Sequence, residues 1–215
     1  MQQNLNTDFW IYSETNLPTH HGVFRLIVFH NNIDKKEHLA LIRGNLQNGE
    51  NIPVRIHSEC LTSEVLGSLK CDCKEQLDTA LQYIAEQGRG IVLYLRQEGR
   101  GLGLGNKIRA YSLQEQGFDT VQANQHHGFP DDLRRYDVAA GMLKSVGVSS
   151  VQLITNNPKK ISGLQEYGIE VKKRIPIVMK PNPINAFYLQ TKAQKSGHLL
   201  NLTSPPQNVE ITTEN

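Results

Sequence analysis

The order of apolar runs along the chain limits the folds it can adopt more than any other feature. Residues 23–29, 39–42 and 54–57 form short apolar or alternating runs, which is the pattern of strands. The predicted helices that follow cover residues 77–85, 106–116, 136–143, 157–168 and 185–195, and strands at 91–95, 151–154 and 169–177 alternate with them. This order predicts an α+β (mixed α/β) fold, with antiparallel N-terminal strands followed by alternating helices and strands around a mixed sheet.

The chain length suits one domain of ordinary size, at 215 residues. It contains no internal repeat and no low-complexity linker, so residues 1–200 are predicted to form a single domain. Residues 201–215 are rich in Thr, Ser, Pro, Asn and Glu. Such a composition predicts a disordered tail.

The overall charge is close to balanced, with 23 Lys and Arg against 21 Asp and Glu. A balance of +2 argues against a protein that neutralises many nucleic-acid phosphates, although local cations can still bind a small polyanion. The N-terminus lacks the basic flank and apolar core of a secretory signal, and no run approaches the roughly 18 apolar residues of a membrane span. We therefore expect a cytoplasmic protein that binds neither nucleic acid nor membrane.

The three cysteines of the chain, Cys60, Cys71 and Cys73, are clustered in one short stretch. An odd number of thiols cannot all pair as disulfides, and three thiolates can bind one Zn²⁺ with the fourth tetrahedral position left for water. Buried free cysteine is the alternative, but Asp72 and the flanking lysines are poor core material. His57 could supply a fourth ligand and close the site, or it could orient a substrate instead. We favour an open, catalytic zinc site.

A glycine-rich turn follows the predicted strand at 91–95. Gly99, Gly101, Gly103 and Gly105 alternate with other residues, with two arginines and Lys107 nearby. The spacing fits neither a Rossmann fingerprint nor a Walker A loop. Backbone N–H groups of such a turn can bind phosphate at a helix N-terminus, which is the interpretation we favour. A turn that merely needs positive φ angles is the alternative.

Two further polar segments remain ambiguous from residue types alone. Residues 129–136 place Asp132 and Arg134 at the start of a predicted helix, where N-capping and solvated arginines are ordinary. Residues 155–160 run from a strand end into a helix, which is where α/β sheets tend to bind ligands. The alternative for this second segment is an N-cap followed by a surface lysine pair.

Taken together, these segments resemble GTP cyclohydrolase II, a family of riboflavin biosynthesis. The matching stretches are residues 55–62, 68–73, 95–100, 106–111 and 155–160, and the similarity spans residues 17–200. The chain looks like the stand-alone form, because its length leaves no room for a second synthase domain. The resemblance also implies a homodimer.

The resemblance implies a zinc-dependent enzyme that acts on GTP. Cys60, Cys71 and Cys73 match the zinc ligands, and zinc would lower the pKa of bound water toward ~7 and deliver hydroxide to C8 of guanine. Formate and pyrophosphate would be released, leaving 2,5-diamino-6-ribosylamino-4(3H)-pyrimidinone 5′-phosphate, with Mg²⁺ on the triphosphate. The positions that match GTP-binding residues are Arg55, Ile56, His57, Ser58, Glu59, Gln76, Glu98, Gly99, Arg100, Thr120, Thr155 and Lys160.

Three residues match catalytic positions of the family. Asp132 matches a proton acceptor, Arg134 a nucleophile that attacks the α-phosphorus, and Tyr111 a residue that assists near the base. A guanidinium with a pKa above ~12 is a poor nucleophile, so Arg134 could instead clamp the triphosphate.

Departures from the family pattern leave other functions open. The departures occur at Gly105, Arg135 and the pair His126-His127. The alternatives are a divergent enzyme that retains the formyl group or uses another nucleotide, and a zinc-stabilised nucleotide-binding module without turnover.

Overall fold

The structure is a computed structural model that describes residues 9–118, 132–195, 197 and 199. Seven strands form one mixed sheet in the order β1-β2-β3-β5-β4-β6-β7. They are β1 (Phe9–Thr19), β2 (Gly22–Asn31), β3 (His38–Arg43), β4 (Ile52–Ser58), β5 (Gly90–Leu95), β6 (Ser150–Ile154) and β7 (Glu170–Ile175). The helices of the described part are α1 (Leu61–Glu64), α2 (Cys73–Glu86), α3 (Leu104–Glu115), α4 (Asp137–Ser145), α5 (Pro158–Glu166) and α6 (Ala186–Lys195). The predicted α+β class is confirmed.

The sheet has an antiparallel half and a parallel half that meet at β5. Strands β1, β2, β3 and β5 pair antiparallel, whereas β5, β4, β6 and β7 pair parallel. Parallel strands need crossover connections, and helices supply them in this chain. The antiparallel start and the later alternation therefore share one continuous sheet.

Helices cover both faces of the central strands, so the core has two layers. On β5, the side chains of Ile91 and Leu93 pack with α4 and α5, while Val92 packs with Ala80 and Ile84 of α2. Alternate side chains of a strand point to opposite faces, which explains why β5 is a continuous apolar run.

Two boundaries differ from those expected from the sequence. Helix α3 begins at Leu104, two residues before the predicted start, with Gly103 as its N-cap. Helix α4 begins only at Asp137, so Asp132 and Arg134 lie before it rather than in its first turn. The N-cap prediction for α5 is confirmed, because the Asn157 side chain accepts a hydrogen bond from the Lys159 amide at 2.9 Å. No helix among the described residues is long and apolar enough to cross a membrane.

Candidate active site

A cleft opens where β4, β5 and β6 end, beside α2, α3 and α6. The carboxyl ends of parallel strands meet at one edge of the sheet, so the segments that follow these strands come together there. The residues that line the cleft and were expected from the sequence are Arg55, His57, Ser58, Glu59, Cys60, Cys71, Cys73, Gln76, Glu98, Gly99, Arg100, Tyr111, Arg134, Thr155 and Lys160.

Two expected site residues of the described part do not line the cleft, and a third cannot be placed. The Ile56 side chain is fully buried in the apolar core, and only its backbone oxygen takes part, accepting a hydrogen bond from Lys160 Nζ at 2.7 Å. Asp132 is not among the lining residues but pairs with Arg134, which is. Thr120 and the pair His126-His127 fall outside the described residues.

The three cysteine sulfurs converge on one point. Their Sγ atoms all lie within 4.8 Å of one another, and Cys60 Sγ is 3.6 Å from Cys71 Sγ. A disulfide would need about 2.05 Å, whereas two sulfurs bound to one tetrahedral zinc ion lie about 3.8 Å apart. The cluster therefore fits a bound metal ion better than a disulfide.

Lys107 of α3 lies against the sulfur cluster. Its Nζ donates to Cys60 Sγ at 3.1 Å and to Glu98 Oε1 at 2.8 Å. Although burial lowers the pKa of Lys107, the hydrogen bond to Glu98 and the charge of Cys60 raise it overall. Hydrogen bonds from Cys71 and Cys73, with the Lys107 charge, lower the pKa of Cys60 well below its ordinary value. The site thus favours a thiolate at Cys60, the form that binds metal.

His57 does not belong to the sulfur cluster. The three cysteines form the one group of His, Cys, Asp and Glu ligand atoms close enough to share an ion in the described part of the chain. The His57 Nε2 atom instead contacts Glu64 Oε1 at 2.7 Å. The described residues thus supply three ligands, which is the donor number of a catalytic zinc site.

Glu98 anchors the strand end rather than presenting a free carboxylate. Its Oε2 accepts from the Leu61 amide at 2.7 Å, and its Oε1 accepts from the Gly99 amide and from Lys107. This carboxylate caps the first turn of the short helix α1, which would otherwise have unsatisfied N–H groups. Glu98 therefore fixes the segment that carries Cys60.

A series of side-chain hydrogen bonds connects β4 to Asp72, which lies between Cys71 and Cys73. Arg55 donates to Gln76 Oε1 at 2.6 Å, and Gln76 donates to Asp72 Oδ2 at 2.5 Å. Burial lowers the pKa of Arg55 to about 10. Its Nε has no hydrogen-bond partner among the described residues, and the side chain lines the cleft. A buried donor in this position is suited to an anionic or carbonyl acceptor on a ligand.

The glycine-rich turn holds the Arg134 segment in place. Gly99 and Arg100 both have left-handed backbone angles, with φ of 60° and 59°. The Leu133 amide donates to the Arg100 oxygen at 2.9 Å, and a Cβ on Gly101 would lie 3.0 Å from the Leu133 backbone. Positive φ and close approach explain Gly99 and Gly101, and positive φ explains Gly103. Gly105 has neither feature.

Asp132 and Arg134 form a bidentate ion pair that is mostly shielded from solvent. Asp132 Oδ1 accepts from Arg134 Nε at 2.8 Å and Oδ2 accepts from its NH2 group at 2.6 Å, with side-chain exposures of 11% and 12%. Although burial raises the pKa of Asp132, hydrogen bonds and charge from Arg134 lower it overall. Burial likewise lowers the pKa of Arg134, but the hydrogen bond to Asp132 raises it overall. Both shifts stabilise the charged pair.

The segment after β6 contributes a further cation. Lys160 of α5 is 5% exposed, and its ammonium reaches both the cleft and the Ile56 oxygen. The Asn156 side chain holds the segment after β6 against the segment after β7. It donates a hydrogen bond to the Ile177 oxygen and accepts one from the Ile177 amide. The alternative of a surface lysine pair therefore holds for the exposed Lys159 but not for Lys160.

Sequence reasoning assigned no site role to several residues that the structure brings to the cleft or its walls. Lys107 was noticed only as part of the glycine-rich turn, and Glu64 and Tyr94 were not noticed at all. Among the other lining residues, Leu102 lies in the glycine-rich turn, and Asn156 and Asn157 lie in the strand-end segment, both of which the sequence marked as possible ligand-binding segments. Those without any assigned role are Asp72, Ala110, Gln114, Tyr188 and Leu189. Of these, Asp72 could have been found from the sequence, because it lies between the candidate ligands Cys71 and Cys73. The rest depend on contacts between distant parts of the chain.

Comparison with known protein families identifies this arrangement. The model of the family described as GTP cyclohydrolase II matches residues 11–176, well over half of the chain. The chain belongs to the GTP cyclohydrolase II family. The resemblance inferred from the five stretches is thus confirmed at the level of the family.

Relatives among curated proteins are similar along most of the chain. The riboflavin biosynthesis protein RibBA of Bacillus mycoides (strain KBAB4) is 55% identical over 189 residues, covering 88% of this chain and 48% of that protein. RibBA of Bacillus cytotoxicus is 54% identical with the same coverage. The chain spans about half the length of these relatives. The stand-alone form stays a prediction.

A solved structure was also matched, at a lower level of similarity. RibBX, a two-domain 3,4-dihydroxy-2-butanone 4-phosphate synthase from A. baumannii, aligns with a TM-score of 0.44 and 18% identity over 80% of this chain and 42% of that chain. A likeness at this level is too weak to identify the fold.

Proposed function

We propose that this protein hydrolyses GTP, opening the imidazole ring of guanine with release of formate and pyrophosphate. The product would be 2,5-diamino-6-ribosylamino-4(3H)-pyrimidinone 5′-phosphate, and the reaction would be the first step of riboflavin biosynthesis. The observation that carries the proposal is the juxtaposition of three cysteine sulfurs with Arg55, Arg134 and Lys160 in one cleft of a GTP cyclohydrolase II family member. Sulfur ligands suit a zinc ion and buried cations suit a triphosphate.

The ion proposed for the sulfur cluster is zinc, one per subunit. Cys60, Cys71 and Cys73 would hold it, because three convergent thiolates select a soft or borderline metal. When bound, zinc supplies Lewis acidity that activates water at neutral pH. Lys107 offsets part of the negative charge of the thiolates through its contact with Cys60.

The triphosphate would lie among the cations that line the same cleft. Lys160 and Arg100 line the cleft together with Arg134, and Mg²⁺ would accompany the phosphates. Tyr111 packs beside Lys70 and Lys107, with their Nζ atoms 4.9 Å and 5.7 Å from its ring centroid. Burial raises the pKa of Tyr111, so its hydroxyl keeps its proton and can donate near the base.

For Arg134 we favour the clamp over the covalent nucleophile. A nucleophilic guanidine must first lose its proton to Asp132, and the pKa shifts of the pair oppose that transfer. A charged, bidentate and pre-oriented guanidinium is suited to stabilising charge that develops on the α-phosphate. Asp132 would then position Arg134 rather than accept its proton.

The setting of the enzyme is also proposed. Thiol ligands need a reducing compartment, so we propose that the protein works in the cytoplasm. We further propose a homodimer that binds GTP and neither nucleic acid nor membrane. Light scattering on the purified protein would measure the subunit number.

The decisive experiment is GTP turnover with product masses, with and without metal. Purified protein with Mg²⁺ should convert GTP to a product that has lost formate and pyrophosphate. Removal of zinc by a chelator should abolish formate release, and added zinc should restore it. The Cys71→Ser variant should lose formate release by at least about 10³-fold, because thiolate ligation is lost.

Other products would separate the competing functions. A product that retains the formyl mass would indicate a divergent enzyme. Turnover of another nucleotide in preference to GTP would identify that nucleotide as the substrate. Binding of GTP without any turnover would indicate a nucleotide-binding module. Undiminished formate release from metal-free protein would reject the zinc mechanism.

A further inference from the structure

His57 belongs to a hydrogen-bonded triad that the metal site does not use. Its Nε2 lies 2.7 Å from Glu64 Oε1, and the Tyr94 hydroxyl donates to Glu64 Oε2 at 2.6 Å. The His57 and Tyr94 rings stack with centroids 5.7 Å apart and an interplanar angle of 19°. The three residues come from β4, α1 and β5, so the ring is held from three elements.

The remaining polar atom of His57, Nδ1, has no partner among the residues that the structure describes. Nδ1 is buried and makes no hydrogen bond with any residue that the structure describes, while the side chain, at 2% exposure, lines the cleft. A buried polar atom without a partner costs free energy, so its presence calls for an explanation. A ligand that supplies the missing hydrogen bond is such an explanation.

The triad decides what that atom can do. Burial lowers the pKa of His57, which favours the neutral ring. Burial and the neighbouring carboxylate raise the pKa of Tyr94, so Tyr94 remains a donor to Glu64. A carboxylate that accepts from Tyr94 on one oxygen accepts from Nε2–H on the other. In the neutral ring this leaves Nδ1 with a lone pair and no proton.

We propose that Glu64 and Tyr94 are positioning residues that hold His57 as the Nε2–H tautomer, so that Nδ1 accepts a hydrogen bond from an N–H or O–H group of the nucleoside half of the substrate. The inference rests on the proposed function for the identity of the substrate. It goes beyond that function because it assigns His57 to the nucleoside. Phosphate oxygens are acceptors too and are repelled by a bare Nδ1 lone pair.

The Glu64→Gln variant tests the tautomer directly. An amide at position 64 can donate to Nε2, which moves the ring proton to Nδ1 and turns the acceptor into a donor. Replacing a tautomer-holding carboxylate by its amide has large effects in enzymes that rely on such a pair. Nitrogen-15 NMR of histidine-labelled protein, with His57 assigned from the His57→Gln variant, reports which ring nitrogen carries the proton. We expect Nε2–H in the wild type and Nδ1–H in Glu64→Gln.

Two ligands separate a nucleoside contact from a phosphate contact. One is a GTP analogue with a methylene bridge between the α- and β-phosphorus atoms, and the other is inorganic triphosphate, both with Mg²⁺ and measured by calorimetry. Glu64→Gln should weaken the analogue about tenfold or more, and Tyr94→Phe should weaken it less, because the carboxylate remains. Binding of inorganic triphosphate should change less than twofold in both variants. Glu86→Gln, an exposed carboxylate on α2, is the matched control and should change neither affinity.

Several outcomes would overturn the inference. They are a wild-type His57 that carries a proton on Nδ1 at neutral pH, equal losses for the analogue and for inorganic triphosphate, or an unchanged tautomer and affinity in Glu64→Gln. A triad that merely ties α1 to the sheet would weaken both ligands together. Absence of GTP turnover in the wild type would reject the proposed reaction separately, because tautomer and affinities are measured without turnover.

Discussion

The two halves of the sheet differ in what their strand ends carry. In the parallel half, the segments after β4, β5 and β6 supply Cys60, Glu98 and Thr155 to the cleft. In the antiparallel half, no described residue of β1, β2 or β3 lines this cleft. Strands β2 and β3 instead supply apolar side chains such as Phe29 to the core. Chemistry and packing are thus divided between the halves of one sheet.

Strand direction explains the division. Parallel neighbours all end at the same edge, so three turns with exposed backbone groups converge there, whereas antiparallel neighbours alternate their ends. Beyond the pairing of β3 with β5, a side chain of β3 contacts the segment that leads to the site. His38 of β3 is fully buried, and its Nδ1 accepts a hydrogen bond from the Arg96 amide at 3.1 Å, directly after β5. The antiparallel half therefore acts on the site through the start of the glycine-rich turn.

Apart from the loss of a cysteine ligand, the largest effect is expected at Arg134, which lines the cleft of the parallel half. Arg134→Lys keeps the charge but loses the bidentate geometry, so pyrophosphate release from GTP should fall about 10²-fold. Arg135 offers a matched control, since it makes the same kind of pair with Asp137 at 2.5 Å but is 54% exposed. Arg135→Lys should leave the rate within about twofold. Steady-state assays of both variants make the measurement.

A covalent role for Arg134 gives a different result. Intact-protein mass spectrometry during turnover would then show a guanylyl adduct on the wild type. The clamp predicts no such adduct. Full activity in Arg134→Lys would show that the bidentate geometry is not needed.

A smaller effect is expected where the glycine-rich turn supports the Arg134 segment. Gly101→Ala adds a Cβ 3.0 Å from the Leu133 backbone at a φ of +90°, so both strain and displacement follow. Gly117 has a φ of +96° with nothing within 4 Å, so Gly117→Ala introduces strain alone. Each variant should lower the free energy of unfolding by roughly 1–2 kcal/mol through backbone strain. Urea titrations measure that common loss.

Turnover should separate the two glycine variants. Gly101→Ala displaces Leu133 and with it Arg134, so it should also lower GTP turnover about tenfold, by analogy with other displacements near catalytic groups. Gly117→Ala should not. Equal turnover in the two variants would mean that the turn does not position Arg134.

Most of the fold could be predicted from the sequence because its signals are local. Apolar runs located six of the seven strands. Five of the six described helices were located to within a few residues, two of them from stripes at helical spacing. Strand β1 was missed because nine of its residues in a row are exposed, which leaves no alternation to detect. Helix α1 was missed because four residues are too few for periodicity, and the Glu98 carboxylate, 37 residues away from Leu61, satisfies its first turn.

The sequence predicted which residue types form the candidate site, but not which of their side chains contact one another. Clustered cysteines are visible in any sequence, but the contact between Lys107 and Cys60 joins residues 47 apart. The contact between Tyr94 and Glu64 likewise joins residues 30 apart. Long-range contacts of this kind depend on strand order, which local patterns do not specify.

The smallest effects should come from the antiparallel half, and two Arg–Glu pairs permit a direct test. Arg25 pairs with Glu14 at 2.6 Å between β1 and β2, and Arg96 pairs with Glu59 at 3.0 Å beside the cleft. Glu14→Gln should lower the free energy of unfolding by less than about 1 kcal/mol, because both side chains are 48% exposed. It should leave GTP turnover unchanged.

Glu59→Gln should have a similarly small effect on stability and yet lower GTP turnover, because Glu59 lines the cleft. Urea titration and steady-state kinetics on the two variants therefore compare one Arg–Glu pair from each half of the sheet. A drop in turnover for Glu14→Gln would show that the antiparallel half reaches the chemistry through more than His38. Unchanged turnover for Glu59→Gln would instead show that this carboxylate takes no part in the reaction. The contrast between the variants, more than either value, decides whether function follows strand direction in this sheet.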